Sequence, residues 1–203
     1  MKRRYFLAGT AATAALLAGC ADDNASPGTT DSTEEPTADQ DEPEGPTNPS
    51  FESDLEGWTI GKDLPADPSN SDQKVDSAVE VVTKQASDGE SGLKLFIDGS
   101  ADDGTVWVQQ EVDLSEVSTL KVDGYSEQQS FNTVLQVATY AGPVPEDGLV
   151  ETDFDREHSL WDHEGWKTYE YDVDHDGTGL VAVGLNIIWE TGAAGILDNI
   201  RLE

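Results

Sequence analysis

The sequence predicts an all-β fold, a two-sheet antiparallel β-sandwich of jelly-roll type, and three observations carry it. From residue 50 onward, short runs rich in β-branched and aromatic residues alternate with clusters of Gly, Pro, Asp, Asn and Ser. No stretch sustains a helical apolar period. The closing stretch, 180–203, alternates through Val181, Val183, Leu185, Ile187 and Trp189, turns at the Gly-rich segment 191–195, and resumes at Ile196, Ile200 and Leu202, the pattern of a half-buried β-hairpin.

The candidate strands are 51–60, 78–85, 92–98, 105–113, 119–125, 130–140, 166–173, 181–189 and 195–202. Only 113–117, DLSEV, suggests a turn of helix, with Asp113 as its cap. Many short strands that must pack face to face without exposed edges suit a jelly roll. Alternation then separates core from surface. Val106, Val108 and Val112 share one face of their strand, and Trp107, Gln109 and Glu111 share the other. By the same count Gln136 and Tyr140 on one strand, and Asn186 on another, face away from the core, so Trp107, Gln109, Gln136, Tyr140 and Asn186 are expected to line a shared polar and aromatic surface. Asp198 falls in phase with Ile196, Ile200 and Leu202 and is expected to point inward, where a carboxylate must be paired, hydrogen-bonded or bound to a cation.

The chain carries 42 acidic against 11 basic residues, a formal net charge of -31, and three of the bases, Lys2, Arg3 and Arg4, lie at the extreme N-terminus. With no basic patch to displace counterions, nucleic acid is excluded as a partner. Carboxylates in such excess repel one another in dilute buffer, whereas at 1 M salt the Debye length falls to about 3 Å and the repulsion is screened. The acids remain abundant after the N-terminal tail, which predicts a halophilic source. The single cysteine, Cys20, rules out a disulfide within the chain and any Cys-based zinc or iron–sulfur site.

Residues 1–19 have a charged start, an apolar run over 6–18 and small residues at the end, the layout of a secretory signal. Arg3-Arg4-Tyr5-Phe6-Leu7 resembles the twin-arginine export signal, and Leu17-Ala18-Gly19-Cys20 resembles a lipobox, which implies cleavage before Cys20 and lipid on that cysteine. Residues 20–47 form an acidic tether of Asp, Glu, Thr, Ser, Pro and Gly, without the apolar side chains that would offset the entropy of ordering it. Its reach, on the order of 30 Å or more, lifts a module at 48–203 off the extracellular face of the membrane. The Asn24-Ala25-Ser26 sequon lies within it.

Within 48–203, Asn48-Pro49-Ser50-Phe51-Glu52 with Leu55-Glu56-Gly57-Trp58, then Asp88-Gly89-Glu90-Ser91-Gly92-Leu93-Lys94-Leu95, Gln110-Glu111-Val112-Asp113-Leu114-Ser115, Trp166-Lys167-Thr168-Tyr169 and Leu197-Asp198-Asn199-Ile200 follow one another in order. Together they resemble the galactose-binding-like jelly rolls, which include several families of carbohydrate-binding modules. The resemblance implies a non-catalytic glycan-binding role, and a structural calcium held by the side chains of Glu52 and Asp198, with backbone oxygens near Ser50 and in 88–91 completing the shell. Calcium takes six to eight oxygens in a flexible cage, which such a set would supply. Sodium or potassium could occupy the same cage at high salt.

Other patterns carry less. Asp172-Val173-Asp174-His175-Asp176-Gly177 imitates the start of a calcium loop, but its twelfth position is Val183 and not a bidentate Glu, so a solvated hairpin turn is expected. Glu151, Asp153 and Asp155 alternate as the acids of some jelly-roll glycosidases do, but they sit in a long excursion, 141–165, and not on a regular strand in a cleft. His158 and His163 with Asp162 lack a third spaced ligand. Trp107, Tyr125, Tyr140, Trp161 and Trp189 are possible sugar-stacking platforms, with Trp107 and Tyr140 favoured and Trp58, Trp166 and Trp189 assigned to the core. The reading is therefore of a lipid-anchored extracellular module, typical of a haloarchaeal lipoprotein, that binds a glycan or other cell-surface polymer without catalysis. A structural or adhesive protein, and a glycan-cleaving enzyme using Glu151, Asp153 and Asp155, are the alternatives.

Overall fold

The computed structural model describes residues 45–127, 135–188 and 192–203. The expected signal peptide, Cys20, the tether up to residue 44, the first half of the 130–140 strand and Trp189 lie outside the described residues. In chain order the elements are β1 (Thr59–Asp63), β2 (Ala66–Asp67), β3 (Asn70–Lys74), β4 (Ser77–Val82), β5 (Gly92–Ile97), β6 (Thr105–Asp113), β7 (Thr119–Glu127), β8 (Leu135–Gly142), a 3-10 turn (Glu151–Asp153), β9 (Glu164–Asp172), β10 (Thr178–Ile187) and β11 (Ala193–Leu202).

Two antiparallel sheets face each other, one of four strands in the order β1-β6-β10-β8 and one of five in the order β4-β5-β11-β7-β9; β2 and β3 form a small separate hairpin. This is the predicted sandwich. The core lies between the sheets and is filled by the expected alternating residues: Val106 and Val108 of β6 and Val181, Val183, Leu185 and Ile187 of β10 from one side, Leu93, Leu95, Leu120, Val122, Leu197 and Ile200 from the other. Each such side chain, fully withdrawn from water, contributes about 1.5–3 kcal/mol before entropy is subtracted.

Several expectations are corrected. The closing stretch is not a hairpin, because β10 pairs with β6 and β8 while β11 pairs with β5 and β7. The connection crosses from one sheet to the other, and alternation alone does not distinguish that from a turn within a sheet. Asp198 is buried as expected and in phase with Ile196, but out of phase with Ile200 and Leu202. The register of β11 shifts between Asp198 and Arg201, and Asn199 there adopts a left-handed φ of 52°. Leu197 thus points into the core before this bulge and Ile200 and Leu202 after it, while Ile196 and Asp198 lie on the opposite side with Tyr125 and Asp123.

The first strand begins only at Thr59. Phe51 and Asp54 have φ of 56°, and Asn48 Oδ1 accepts from Ser53 N (3.0 Å), so 48–57 is a run of turns. The segment 113–117 is a turn without helix, held by Asp113 Oδ1 accepting from Ser115 N (2.9 Å). The β2–β3 hairpin, nearly all polar and exposed, gave no alternating signal. The turn at 173–177 joins strands of different sheets.

Candidate functional site

Cross-strand register lays the outer face of the four-stranded sheet out in rows. Thr59, Gln109, Ala182 and Tyr140 form one, Gly61, Trp107, Gly184 and Ala138 the next, and Asp63, Thr105, Asn186 and Gln136 the third. All five predicted ligand-binding residues, Trp107, Gln109, Gln136, Tyr140 and Asn186, therefore share one face.

That face is covered by the chain itself. Segment 143–163 pairs along the free edge of β8, with Asp155 N donating to Thr139 O (2.8 Å), Val137 N to His158 O (2.9 Å) and Leu160 N to Leu135 O (2.8 Å). It then reaches across the sheet, where Glu151 N donates to Asp63 Oδ2 (3.0 Å). Phe154 and Leu149 pack on Trp107, Ala138, Leu180 and Ala182, leaving Trp107 only 3% exposed. The indole fits because its row neighbours are small: a Cβ on Gly61 would stand 2.2 Å from its ring.

Most polar groups of this face are also engaged, Asn186 Oδ1 being buried without a partner. Trp107 Nε1 donates to Gln109 Oε1 (2.6 Å), Tyr140 Oη to Pro143 O (2.7 Å), and Asn186 Nδ2 to Gly104 O (3.1 Å) and Thr105 Oγ1 (2.9 Å). The expected open platform is thus corrected at Trp107, since a ring under Phe154 has no face to offer a ligand, while Tyr140 is half-exposed beside it. Gln136 lines an acidic groove of about 730 Å³ shared with Asp103, Glu151, Asp155, Arg156 and Glu157.

The carboxylates there serve local structure. Glu151 pairs with Arg156 (2.6 Å), Asp153 Oδ2 accepts from Val150 N (2.8 Å), and Asp155 Oδ1 accepts from Glu157 N (2.9 Å). His158 stacks against Tyr169 and Tyr171, with ring centroids 5.6 and 5.1 Å away. His163 Nε2 meets Tyr169 Oη at 2.6 Å, and burial pushes its pKa down.

A more enclosed concavity lies against the five-stranded sheet. It holds about 220 Å³ and is lined by Tyr125, Trp161, Lys94, Ser126 and Glu127, with Ala194 and Ile196 of β11 beneath. Tyr125 and Trp166 are register partners whose ring centroids lie 5.3 Å apart, so Trp166, assigned to the core from sequence, instead supports Tyr125 on the outer side. Two aromatic walls beside an ammonium, a hydroxyl and a carboxylate can grip a small polar molecule with apolar faces. Tyr125 and Trp161 were legible in the sequence as possible platforms; Lys94 and Glu127 carried no signal, because their meeting depends on β11 lying between β5 and β7.

The chain entry forms a separate corner. Ile200 N donates to Pro49 O (3.1 Å), and Ser50 Oγ donates to Asp88 Oδ2 (2.8 Å). Glu52 Oε1 accepts from Glu90 N (2.8 Å) and Ser91 N (2.7 Å); Asp198 Oδ2 accepts from Ser87 N (2.6 Å) and Asp88 N (3.0 Å), and its Oδ1 from Asn199 N (2.7 Å). The three predicted metal residues, Ser50, Glu52 and Asp198, are gathered on one loop, 87–91. Asp198 is fully buried, and burial pushes its pKa up against the pull of the amides of Asp88, Ser87 and Asn199. Each of these partners is neutral, so among the described residues the buried carboxylate has no counterion, and carboxylate oxygens are ligands that suit a hard cation. Among the described residues no group of three or more His, Cys, Asp or Glu side chains could hold a metal ion. Glu52 and Asp198 supply two carboxylates at this corner, both already accepting from backbone N–H groups.

Sequence reasoning missed the neighbouring Asp123, which accepts from Thr168 Oγ1 (2.6 Å), Ser87 Oγ (2.8 Å) and Asn199 Nδ2 (2.9 Å) and pairs with Arg201 (3.2 Å). Burial alone would raise its pKa, but these hydrogen bonds outweigh burial and hold it below the usual carboxylate range.

No protein-family model and no curated protein matches this chain. Among solved structures it is similar to TmCBM61, a protein solved in complex with beta-1,4-galactotriose, at 18% identity and a TM-score of 0.47 over 77% of this chain and 95% of that one. It is similar to TmCBM27, a carbohydrate-binding module described as recognising mannan, at 16% identity and a TM-score of 0.47 over 79% and 94%. It is also similar to the enzymatically active domain of tailspike protein 4 of bacteriophage CBA120, at 12% identity and a TM-score of 0.49 over 77% of this chain and 21% of that one.

Proposed function

We propose that this domain is a non-catalytic carbohydrate-binding module. One observation carries the reading: the concavity between Tyr125 and Trp161 sets two aromatic rings beside Lys94, Ser126 and Glu127. A pyranose has apolar C–H faces that lie against rings, and hydroxyls that take up amines, hydroxyls and carboxylates at the rim. At about 220 Å³ the site suits one sugar unit of a longer glycan whose remainder stays in solvent. The acids at 151–157 are held in turns and an ion pair, which favours binding over hydrolysis.

A calcium ion on Glu52 and Asp198 belongs to the same proposal. It would neutralise the buried charge and fasten the chain entry to loop 87–91. So does an extracellular position, with lipid on Cys20 and residues 20–47 as spacer. The test is a glycan array probed with the full chain in molar KCl, beside Tyr125→Ala and Trp161→Ala. Binding by the parent that both variants lose is the expected result; a silent array, or variants that bind as the parent does, would overturn the proposal.

A further inference from the structure

The basic side chains of the described residues divide by what they touch. Lys121, Arg156 and Arg201 are in ion pairs, Lys167 lies over the Tyr169 ring at 5.0 Å, and Lys62, Lys74 and Lys84 are exposed. Lys94 differs from all of them, being half-buried and outside every ion pair among the described residues. Its register partner on β4 is Glu80, and the two do not pair. On the other side its register partner is Ile196, so the ammonium has an apolar neighbour there. In a chain of net charge -31, a half-buried cation outside every ion pair of the described residues stands beside Tyr125 and Trp161 in the same concavity.

Resting on the carbohydrate reading above, we infer that the sugar held here is acidic, carrying a carboxylate or sulfate that Lys94 receives. A neutral sugar can use Lys94 only as one hydrogen-bond donor among the polar groups of the rim. An anionic sugar does need the ammonium, because a cation in contact must offset the repulsion of the surrounding carboxylates. A charge-assisted hydrogen bond formed at contact also survives molar salt, where longer-range attraction is screened. Glu127, exposed at the rim, opposes the anion, so the acidic group sits on the Lys94 side and the hydroxyl edge meets Glu127.

The test uses an array of matched neutral, uronic-acid and sulfated glycans, probed with the full chain in molar KCl. The expected result is at least about tenfold tighter binding of an acidic glycan than of its neutral counterpart. Lys94→Gln should erase that preference, and Glu127→Gln should widen it. Equal binding of acidic and neutral partners, or a preference that survives Lys94→Gln, overturns the acidic specificity and leaves the carbohydrate reading standing. Binding to no glycan overturns both.

Discussion

The ring of Phe154 lies over that of Trp107, centroids 4.9 Å apart at an interplanar angle of 56°. This contact closes the sheet face that the sequence offered as open. Phe154→Ala should therefore lower stability by about 3–5 kcal/mol, read from denaturant unfolding at fixed molar KCl. A change below about 0.5 kcal/mol would mean that segment 143–163 does not rest on the sheet in solution.

Gly184 is the bed beneath the same indole. A Cβ there would meet Val106 O at 2.2 Å and Trp107 Cβ at 2.6 Å, and a backbone oxygen within a sheet cannot swing aside. Gly184→Ala should cost about 1–3 kcal/mol or more, whereas Gly45→Ala, with nothing within 4 Å, should stay within about 0.5 kcal/mol. Equal melting of the two variants would refute the close approach.

Leu160 pins the far end of the segment. It is 1% exposed and packs where Gly124 and Gly195 leave room, their absent Cβ positions lying 2.7 and 2.4 Å from its methyl groups. Leu160→Ala should remove about 2–5 kcal/mol and open 143–163 to limited proteolysis. Cleavage no faster than in the parent would count against the anchor.

His163 gives the domain a pH response of known sign. Tyr169 Oη donates to Ser159 O (3.1 Å), which leaves its oxygen to receive His163 Nε2, and burial keeps the ring neutral by depressing its pKa. A depressed histidine binds its proton later in the folded than in the unfolded chain, so its contribution is present above about pH 6.5 and is lost as pH falls through that value toward the folded pKa. Stability of the parent minus that of His163→Phe should therefore shrink as pH drops from about 7.5 toward 5. A difference that is flat over this window excludes the effect.

For the corner at Asp198, the melting temperature of the full chain should rise with calcium after chelator treatment, and Asp198→Asn should remove the rise. At a calcium concentration of 100 times the dissociation constant the gain is about 2.7 kcal/mol. Gly89→Ala should weaken the same corner, because φ there is +71° and the new Cβ would stand 2.5 Å from Glu52 Oε1. Identical melts with and without calcium would leave the amides of 87–91 as the sole partners of these carboxylates.

Much of the fold was legible because strand alternation reports burial directly. β6 begins and ends where the pattern of valines places it, and the five outward residues predicted from three strands do share one face. What alternation does not encode is what lies above that face. Trp107 and Asn186 are read correctly as facing away from the core and wrongly as exposed, because Phe154, 47 residues along the chain from Trp107, supplies a second small core of its own. The phase of Asp198 was lost for a different reason. A single residue, Asn199, enters the left-handed region and shifts the period, and no side chain around it announces the bulge. The concavity at Tyr125 and Trp161 arises from strands brought together only by the sheet order β5-β11-β7, which a linear pattern does not contain.

The hydrogen bond from Ile200 to Pro49 fastens the entry of the domain to β11, and β11 is the middle strand of five. A pull applied at that entry meets this bond to the centre of one sheet before it reaches β1, an edge strand of the other. The bond to Pro49 thus shields an edge that would otherwise be peeled first.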